Sequence, residues 1–247
     1  MTDFVYRAVM RDIKQNILAQ KYEDMRLPDE RSLASHYQVS RSSMKRALEL
    51  LAQQGIIFKK RGSGTFINPL YLKNQALFRY EGSNLGLTDS FKVPGKKQQI
   101  KLLEFKVINA SKELAQDLFI NEADFVYQFK RLRLLDNQPF LIETGYLPIK
   151  IVPELTPEIL KDSLFNYLED TQNKTVTRSF LNITVEPSNS EDQSELDLQT
   201  NEPVGVMEGI FFLDDGTPFE VSNMRIHYKY MRYNSCLLYT SPSPRDS

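Results

Sequence analysis

Cysteine and histidine are scarce in this sequence, which has one cysteine and two histidines among 247 residues. A single cysteine cannot form an intrachain disulfide, and Cys236, His36 and His227 are too few for a Cys/His metal site. We therefore expect neither redox nor zinc chemistry, no metal and no cofactor.

Long apolar runs are also missing, since no stretch approaches the roughly 20 apolar residues that a membrane-spanning helix needs. The first residues lack the basic-then-apolar pattern of a secretion signal. The hydrophobic fraction of 41% and the charged fraction of 26% are ordinary for a folded protein, and the length suits two modest domains. We expect a cytoplasmic, two-domain protein with no membrane association.

The net charge of −1 conceals an uneven distribution along the chain. Residues 1–70 contain twelve basic and seven acidic residues, a net charge of +5, whereas residues 71–247 have a net charge of −6. This asymmetry indicates that the N-terminal part binds a polyanion, although a merely solvated basic face remains an alternative on charge alone.

The N-terminal part has the pattern of a helix-turn-helix. Apolar residues from Tyr6 to Ile17 recur at spacings of three and four, which predicts an amphipathic first helix. A short second helix follows Pro28-Asp29-Glu30, and Ser40 is a candidate N-cap for a third helix that ends at Gly55.

The third predicted helix exposes polar and basic residues at its start: Arg41, Ser42, Ser43, Lys45 and Arg46. Recognition helices place such residues in the major groove of DNA. The alternative is a solvated helix start with favourable caps. After it, a strand that ends in Lys59-Lys60, the turn Arg61-Gly62-Ser63-Gly64 and a returning strand predict a basic β-hairpin wing.

These segments resemble the GntR family of bacterial transcription regulators across almost the whole domain. The resemblance rests on Leu27-Pro28-Asp29-Glu30-Arg31, on Val39 to Leu48, on Leu51 to Ile57 and on Arg61 to Phe66. It implies binding to double-stranded, palindromic operator DNA by a homodimer. By resemblance the DNA contacts fall on Arg31, Arg41, Arg46, Gly62 and Gly64. The exposed helix start and the basic wing add the other candidate DNA-binding residues: Ser40, Ser42, Ser43, Lys45, Lys60, Arg61 and Ser63.

Beyond a linker at 71–80, residues 81–234 predict a second domain of the α+β class with a mainly antiparallel sheet. We expect strands near 100–108, 125–135, 140–147, 175–185, 204–213 and 219–230, with helices between them. A faint repeat at an offset of 80 residues suggests a duplicated sheet, although turn chemistry alone could create part of it. We read residues 235–247 as a non-native or disordered tail.

The second domain resembles the UTRA effector-binding domain of the HutC branch, which has a fold similar to chorismate lyase. The resemblance rests on Arg131-Leu132-Arg133, Asp136 to Phe140, Glu143 to Pro148, Val152 to Leu155 and Asp215 to Glu220. It implies a domain that binds a small molecule without transforming it, and a sugar phosphate is the leading candidate.

Strand alternation supports an anion site in this domain, because Arg131 and Arg133 are two residues apart and project from one face. Glu143 follows on the next strand, and Glu220 and Tyr228 share one parity on the last. A structural set of ion pairs is the alternative. By resemblance, Thr88, Ser90, Phe91 and Ser163 also contact the effector.

A different class of function, an enzyme acting on a small anion, stays open as the second hypothesis. Glu143 and Glu220 could serve as an acid/base pair, but the candidate residues include no histidine or cysteine nucleophile. We therefore expect a repressor released from its operator by an anionic metabolite, and no catalytic residue.

Overall fold

The structure is a computed structural model that describes residues 2–73 and 97–233. Each of these two ranges forms a compact unit. Thr88, Ser90, Phe91, most of the predicted linker and the tail at 235–247 lie outside the described residues. In the described part, no helix is long and apolar enough to cross a membrane.

The first unit is a three-helix bundle with a two-stranded hairpin. Its elements are α1 (Thr2–Leu18), a short 3-10 helix (Glu23–Met25), α2 (Glu30–His36), α3 (Arg41–Gln53), β1 (Ile57–Lys60), β2 (Gly64–Ile67) and α4 (Pro69–Lys73). The apolar stripe predicted for α1 is buried against that of α3, where Ile13, Ile17, Met44 and Leu51 are fully enclosed. The predicted winged helix-turn-helix is confirmed.

Two side chains set where the central helices of this unit begin. The Asp29 carboxylate accepts hydrogen bonds from the backbone N–H groups of Arg31 and Ser32, both at 3.0 Å. The Ser40 hydroxyl accepts one from Ser43 N at 3.1 Å. Each cap satisfies N–H groups that have no partner within the helix. Because the Ser40 cap starts α3 at Arg41, only four residues separate α2 from α3.

The first unit extends past the boundary predicted at residue 70. Residues 69–73 form α4 rather than an irregular linker, with Pro69 at the first helical position, where its missing N–H costs nothing. Tyr71 and Leu72 pack against the core of the first unit. The predicted linker at 71–80 therefore loses its first three residues to a helix.

The second unit is built on one six-stranded antiparallel sheet. Its strands are β3 (Gln98–Asn109), β4 (Phe125–Leu135), β5 (Gln138–Pro148), β6 (Val176–Pro187), β7 (Pro203–Leu213) and β8 (Pro218–His227), in the order β3-β4-β5-β8-β7-β6. Its helices are α5 (Lys112–Leu118), a 3-10 turn (Ile159–Lys161), α6 (Leu164–Gln172) and α7 (Ser190–Glu195).

This strand order confirms the repeat seen in the sequence. One half runs β3-α5-β4-β5 and the other β6-α7-β7-β8, and the two halves join where β5 pairs with β8. The tight turns at 136–137 and 214–217 occupy equivalent places in the two halves, after β4 and β7. Turn chemistry alone does not produce such a topology, so the duplicated sheet is the better explanation.

The sheet buries both of its faces. One face carries the large core around Phe129, Leu141, Met207 and Met224, and α6 packs on it through Leu164 and Leu168. The other face carries smaller clusters with Leu132, Ile142 and Val206, or with Ala115 of α5. The face with the large core also holds the charged residues described below.

Candidate functional sites

The start of α3 presents a polar surface to solvent. Arg41, Ser42 and Lys45 are exposed, and Ser43 is partly exposed. The Lys45 ammonium lies 3.8 Å from Glu49 in an exposed i,i+4 pair, which is weak enough to exchange for another anion. The Arg46 guanidinium lies 4.3 Å above the ring of Tyr6, so α1 holds it in place.

The serines at the start of α3 also contact one another and cap the helix. Ser40 Oγ lies 2.9 Å from both Ser42 Oγ and Ser43 Oγ while it caps the helix. This network fixes the hydroxyl groups of the first turn before any ligand arrives. Arg31, in the first turn of α2, is also exposed.

The wing is a tight hairpin in which Lys60 pairs with Gly64. Gly62 and Gly64 both have positive φ, of 73° and 119°, a backbone conformation that other residues rarely adopt. Lys60, Arg61 and Gly62 are exposed at the tip, and Ser63 is partly exposed. The structure thus brings the predicted wing residues to one end of one hairpin.

In the second unit, four predicted residues form a buried charged cluster, which we call the Arg/Glu cluster: Arg131, Arg133, Glu143 and Glu220. The Glu143 carboxylate accepts from Arg131 Nη2 at 2.8 Å and from Arg131 Nε at 3.1 Å. It also accepts from Arg133 Nε at 3.1 Å. One carboxylate is therefore shared by two guanidinium groups, as strand alternation and the pairing of Arg131 with Glu143 across β4 and β5 require.

Arg131 has a further set of contacts with the chain. Its Nη1 donates to the backbone carbonyls of Leu160 and Asp162, at 3.3 and 3.4 Å, and its guanidinium lies 4.6 Å above the ring of Phe129. With the two bonds to Glu143, four of its five N–H donors are engaged. Arg131 therefore ties the 159–162 segment to the sheet.

The pKa values of the two carboxyl groups in the cluster are shifted in opposite directions. Burial acts to raise the pKa of Glu143, but Arg131 and Arg133 outweigh it and hold that pKa below its ordinary value. Burial, reinforced by the negative charge of Glu143, raises the pKa of Glu220 to about 8. Burial therefore favours the protonated form of Glu220 and leaves Glu143 as the ionised carboxylate between the two arginines.

The remaining predicted effector residues divide into two groups. Ser163 is buried, caps α6 by accepting from Asn166 N at 3.3 Å, and directly follows Asp162, whose carbonyl Arg131 binds. Tyr228 lies elsewhere, and its predicted place with Glu220 is wrong. Strand β8 ends at His227, so parity no longer applies, and the Tyr228 hydroxyl donates to Glu202 at 2.7 Å while its ring packs on the opposite face of the sheet.

Sequence reasoning missed three features of these sites. Ser222 is on the same face of β8 as Glu220, and its hydroxyl is buried with no hydrogen-bond partner among the described residues. The carbonyls of residues 160 and 162 are backbone groups that no motif encodes. Arg26 lies beside the wing in space, although it precedes Gly64 by 38 positions in the sequence. Only Ser222 had a signal, its parity with Glu220.

Together, the first unit is a winged helix-turn-helix DNA-binding domain, and the second is an antiparallel sheet domain that buries two arginines and two glutamates on one face. Residues 3–67 match the family of bacterial regulatory proteins called gntR, and residues 94–232 match the UTRA domain family. The chain belongs to the GntR family of transcription regulators, with a UTRA domain as in the HutC branch.

Individual relatives agree along nearly the whole chain. The HTH-type transcriptional regulator GmuR of Bacillus subtilis is 32% identical over 89% of this chain and 92% of its own. The HTH-type transcriptional repressor NagR of the same organism is 26% identical over 87% of both chains. The crystal structure of the possible transcriptional regulator YydK from Bacillus subtilis has a TM-score of 0.75 at 26% identity, covering 95% of this chain and 99% of that one.

Proposed function

We propose that this regulator is a repressor that leaves its operator when a small anionic metabolite, such as a sugar phosphate, binds at the Arg/Glu cluster. The observation that carries the proposal is the pair of buried arginines that share the single carboxylate of Glu143. Two buried guanidinium groups side by side on one sheet face concentrate positive charge, and their planar N–H forks suit a phosphate or carboxylate. A small anion is therefore the ligand class that this pair of arginines favours.

The two arginines have different parts in this proposal. Arg131 is a positioning residue, because it is committed to Glu143 and to the 159–162 segment. Arg133 is the residue that we assign to the anion, with Glu143 orienting its planar fork. Below pH 8 the protonated Glu220 can donate a hydrogen bond to the ligand instead of repelling it.

Ser163 places a hydroxyl and the start of α6 next to the 159–162 segment that Arg131 holds. The backbone N–H groups at a helix start favour anions, which supports a phosphate rather than a neutral sugar as the ligand. The name of NagR, a repressor, agrees with negative regulation.

We propose further that the operator is a palindrome bound by a homodimer in the cytoplasm. One recognition helix reads only a few base pairs, so a two-fold protein on a two-fold site is the usual solution. Strand β6 supplies a candidate interface, because it is the last strand of the sheet and exposes 71% of both Phe180 and Val185. An open, apolar edge strand of 12 residues is normally covered.

The enzyme alternative finds little support in the geometry of the cluster. Both oxygens of Glu143 are held by guanidinium groups, which lowers its basicity and leaves it a poor general base. We propose that the domain binds its ligand unchanged, and incubation of a bound sugar phosphate with the protein should return it intact.

The test is a pair of operator titrations, with and without a sugar phosphate chosen by a thermal-shift screen, on the wild type and on Arg133→Ala. The variant should bind operator normally and no longer release it when the ligand is added. Arg225→Ala is the matched control, since Arg225 is on the same sheet but pairs with Asp192 and Glu186. An equal ligand response in wild type and Arg133→Ala would remove the cluster from the mechanism.

A further inference from the structure

Arg26 is fixed beside the wing by its backbone. The residue pairs with Phe66 of β2 as an isolated bridge, and the next N–H, of Leu27, donates to Thr65 O at 2.9 Å. The segment before α2 therefore extends the hairpin as a third, very short strand. This pairing brings a basic side chain of the segment alongside the basic wing.

The Arg26 side chain lies directly against the wing backbone. A Cβ atom on Gly64 would be 3.1 Å from Arg26 Nε and 3.2 Å from Nη2, closer than the two groups could comfortably remain. On its other side the guanidinium lies 5.9 Å from the ring centre of Phe66, where the cation meets the π face. The missing side chain of Gly64 thus provides the space that Arg26 occupies.

The surroundings of Arg26 are basic and exposed. Lys59, Lys60 and Arg61 follow on the same hairpin, and the Arg26 side chain is open to solvent. Within residues 2–73 and 97–233, the Arg26 guanidinium has no hydrogen bond or ion pair with an acidic group. Arg131 and Arg225 differ from Arg26 in this respect, because each forms an ion pair with a carboxylate.

We propose that Arg26 binds a backbone phosphate of the operator, and that Gly64 is glycine so that Arg26 can lie against the wing. The proposal rests on the assignment of the wing to the DNA surface. A planar guanidinium that an aromatic ring orients, and whose donors no acidic group of the described residues engages, suits a phosphate. The simpler alternative is that Gly64 only lets DNA approach the hairpin, with Arg26 uninvolved.

The first measurement is the salt dependence of operator affinity for Arg26→Ala. Loss of one phosphate contact should lower the slope of log affinity against log salt by about 0.9 and weaken operator and random DNA alike. Arg11→Ala, which removes an exposed arginine of α1, should leave the slope unchanged. Arg26→Lys keeps the charge and should recover most of the slope.

The second measurement is a double-mutant cycle between Arg26→Ala and Gly64→Ala. If the methyl group introduced by Gly64→Ala acts by displacing Arg26, the double variant should bind no more weakly than the weaker of the two single variants. Gly62→Ala is the matched control, because Gly62 also has positive φ but nothing lies within 4 Å of its missing Cβ. Its effect should add to that of Arg26→Ala.

Three outcomes would overturn the proposal. An unchanged slope in Arg26→Ala, with a lowered slope in Lys60→Ala, removes Arg26 and leaves the wing assignment intact. Unchanged slopes in both variants remove the wing itself from the DNA surface. Additive losses for Arg26→Ala and Gly64→Ala show that Gly64 acts independently of Arg26.

Discussion

At the scale of single residues, the Arg/Glu cluster shows how far strand parity reaches as a guide. Parity placed Arg131 and Arg133 on one face, and β4–β5 pairing then set Glu143 opposite Arg131. It failed for Tyr228, one residue past the end of β8, because parity holds only while the backbone stays extended. Contacts to backbone carbonyls, such as Asp162 O, are invisible to residue patterns altogether.

The buried carboxyl of Glu220 should make stability depend on pH. Its pKa is raised in the folded protein to about 8, so folding favours the protonated form. The resulting stability is fully present below the ordinary carboxyl pKa and is lost as the pH rises from about 4.5 to about 8.

Glu220→Gln should remove this dependence, because the amide resembles the protonated carboxyl and does not titrate. Between pH 5 and pH 9, we expect the unfolding free energy of the wild type to fall relative to that of the variant. The difference should be on the order of a few kcal/mol. Urea unfolding at the two pH values measures it. Glu208→Gln is the control, because Glu208 is an exposed carboxylate in the middle of β7 that accepts a hydrogen bond from Asn223. Parallel pH profiles of wild type and Glu220→Gln would show that Glu220 ionises normally.

At the scale of elements, the winged helix-turn-helix was predictable because local signals agree with one another. The caps Asp29 and Ser40, the apolar stripe of α3 and the glycines of the turn each specify the same boundaries. The third pairing partner of the wing, at Arg26, was not predictable, because it depends on a contact between segments far apart in sequence.

The recognition helix α3 and the wing should fail in different ways when they are changed. Arg41 is exposed on the first turn of α3, where base edges are read, so Arg41→Ala should abolish the preference for operator over random DNA. Lys60 is on the hairpin, so Lys60→Ala should weaken binding to all sequences and lower the salt slope by about one. Competition titrations with operator and random duplexes distinguish the two. If Arg41→Ala retains the operator preference, α3 is not the reading helix.

At the scale of the whole molecule, an oligomer is expected from β6, an edge strand that residues 2–73 and 97–233 leave without a neighbour on one side. Phe180→Asp on β6 should convert the dimer to a monomer at micromolar concentration, because a charge at the centre of an edge pairing is costly. Phe119→Asp is the control, since Phe119 is 85% exposed at the end of α5, away from β6. Light scattering gives the mass. A wild type that is monomeric with and without operator would contradict the dimer.

The coupling of the two ligands is the property that makes the molecule a regulator, and it can be measured from either side. If the anion and the operator favour different states of one equilibrium, each must lower the affinity of the other by the same factor. A coupling of about 1–3 kcal/mol corresponds to a change in affinity of roughly 5–150-fold, which suffices to switch a gene.

We therefore expect the sugar phosphate to bind more weakly to the operator complex than to the free protein. The factor should equal the one by which the ligand lowers the affinity of the protein for the operator. Calorimetry of the ligand with and without bound operator measures the first factor, and operator titrations measure the second. Arg133→Ala should abolish both factors together, whereas Arg225→Ala should keep both. If a ligand weakens operator binding but binds free and operator-bound protein equally, it acts on the DNA and not through the protein. The proposed switch would then be wrong.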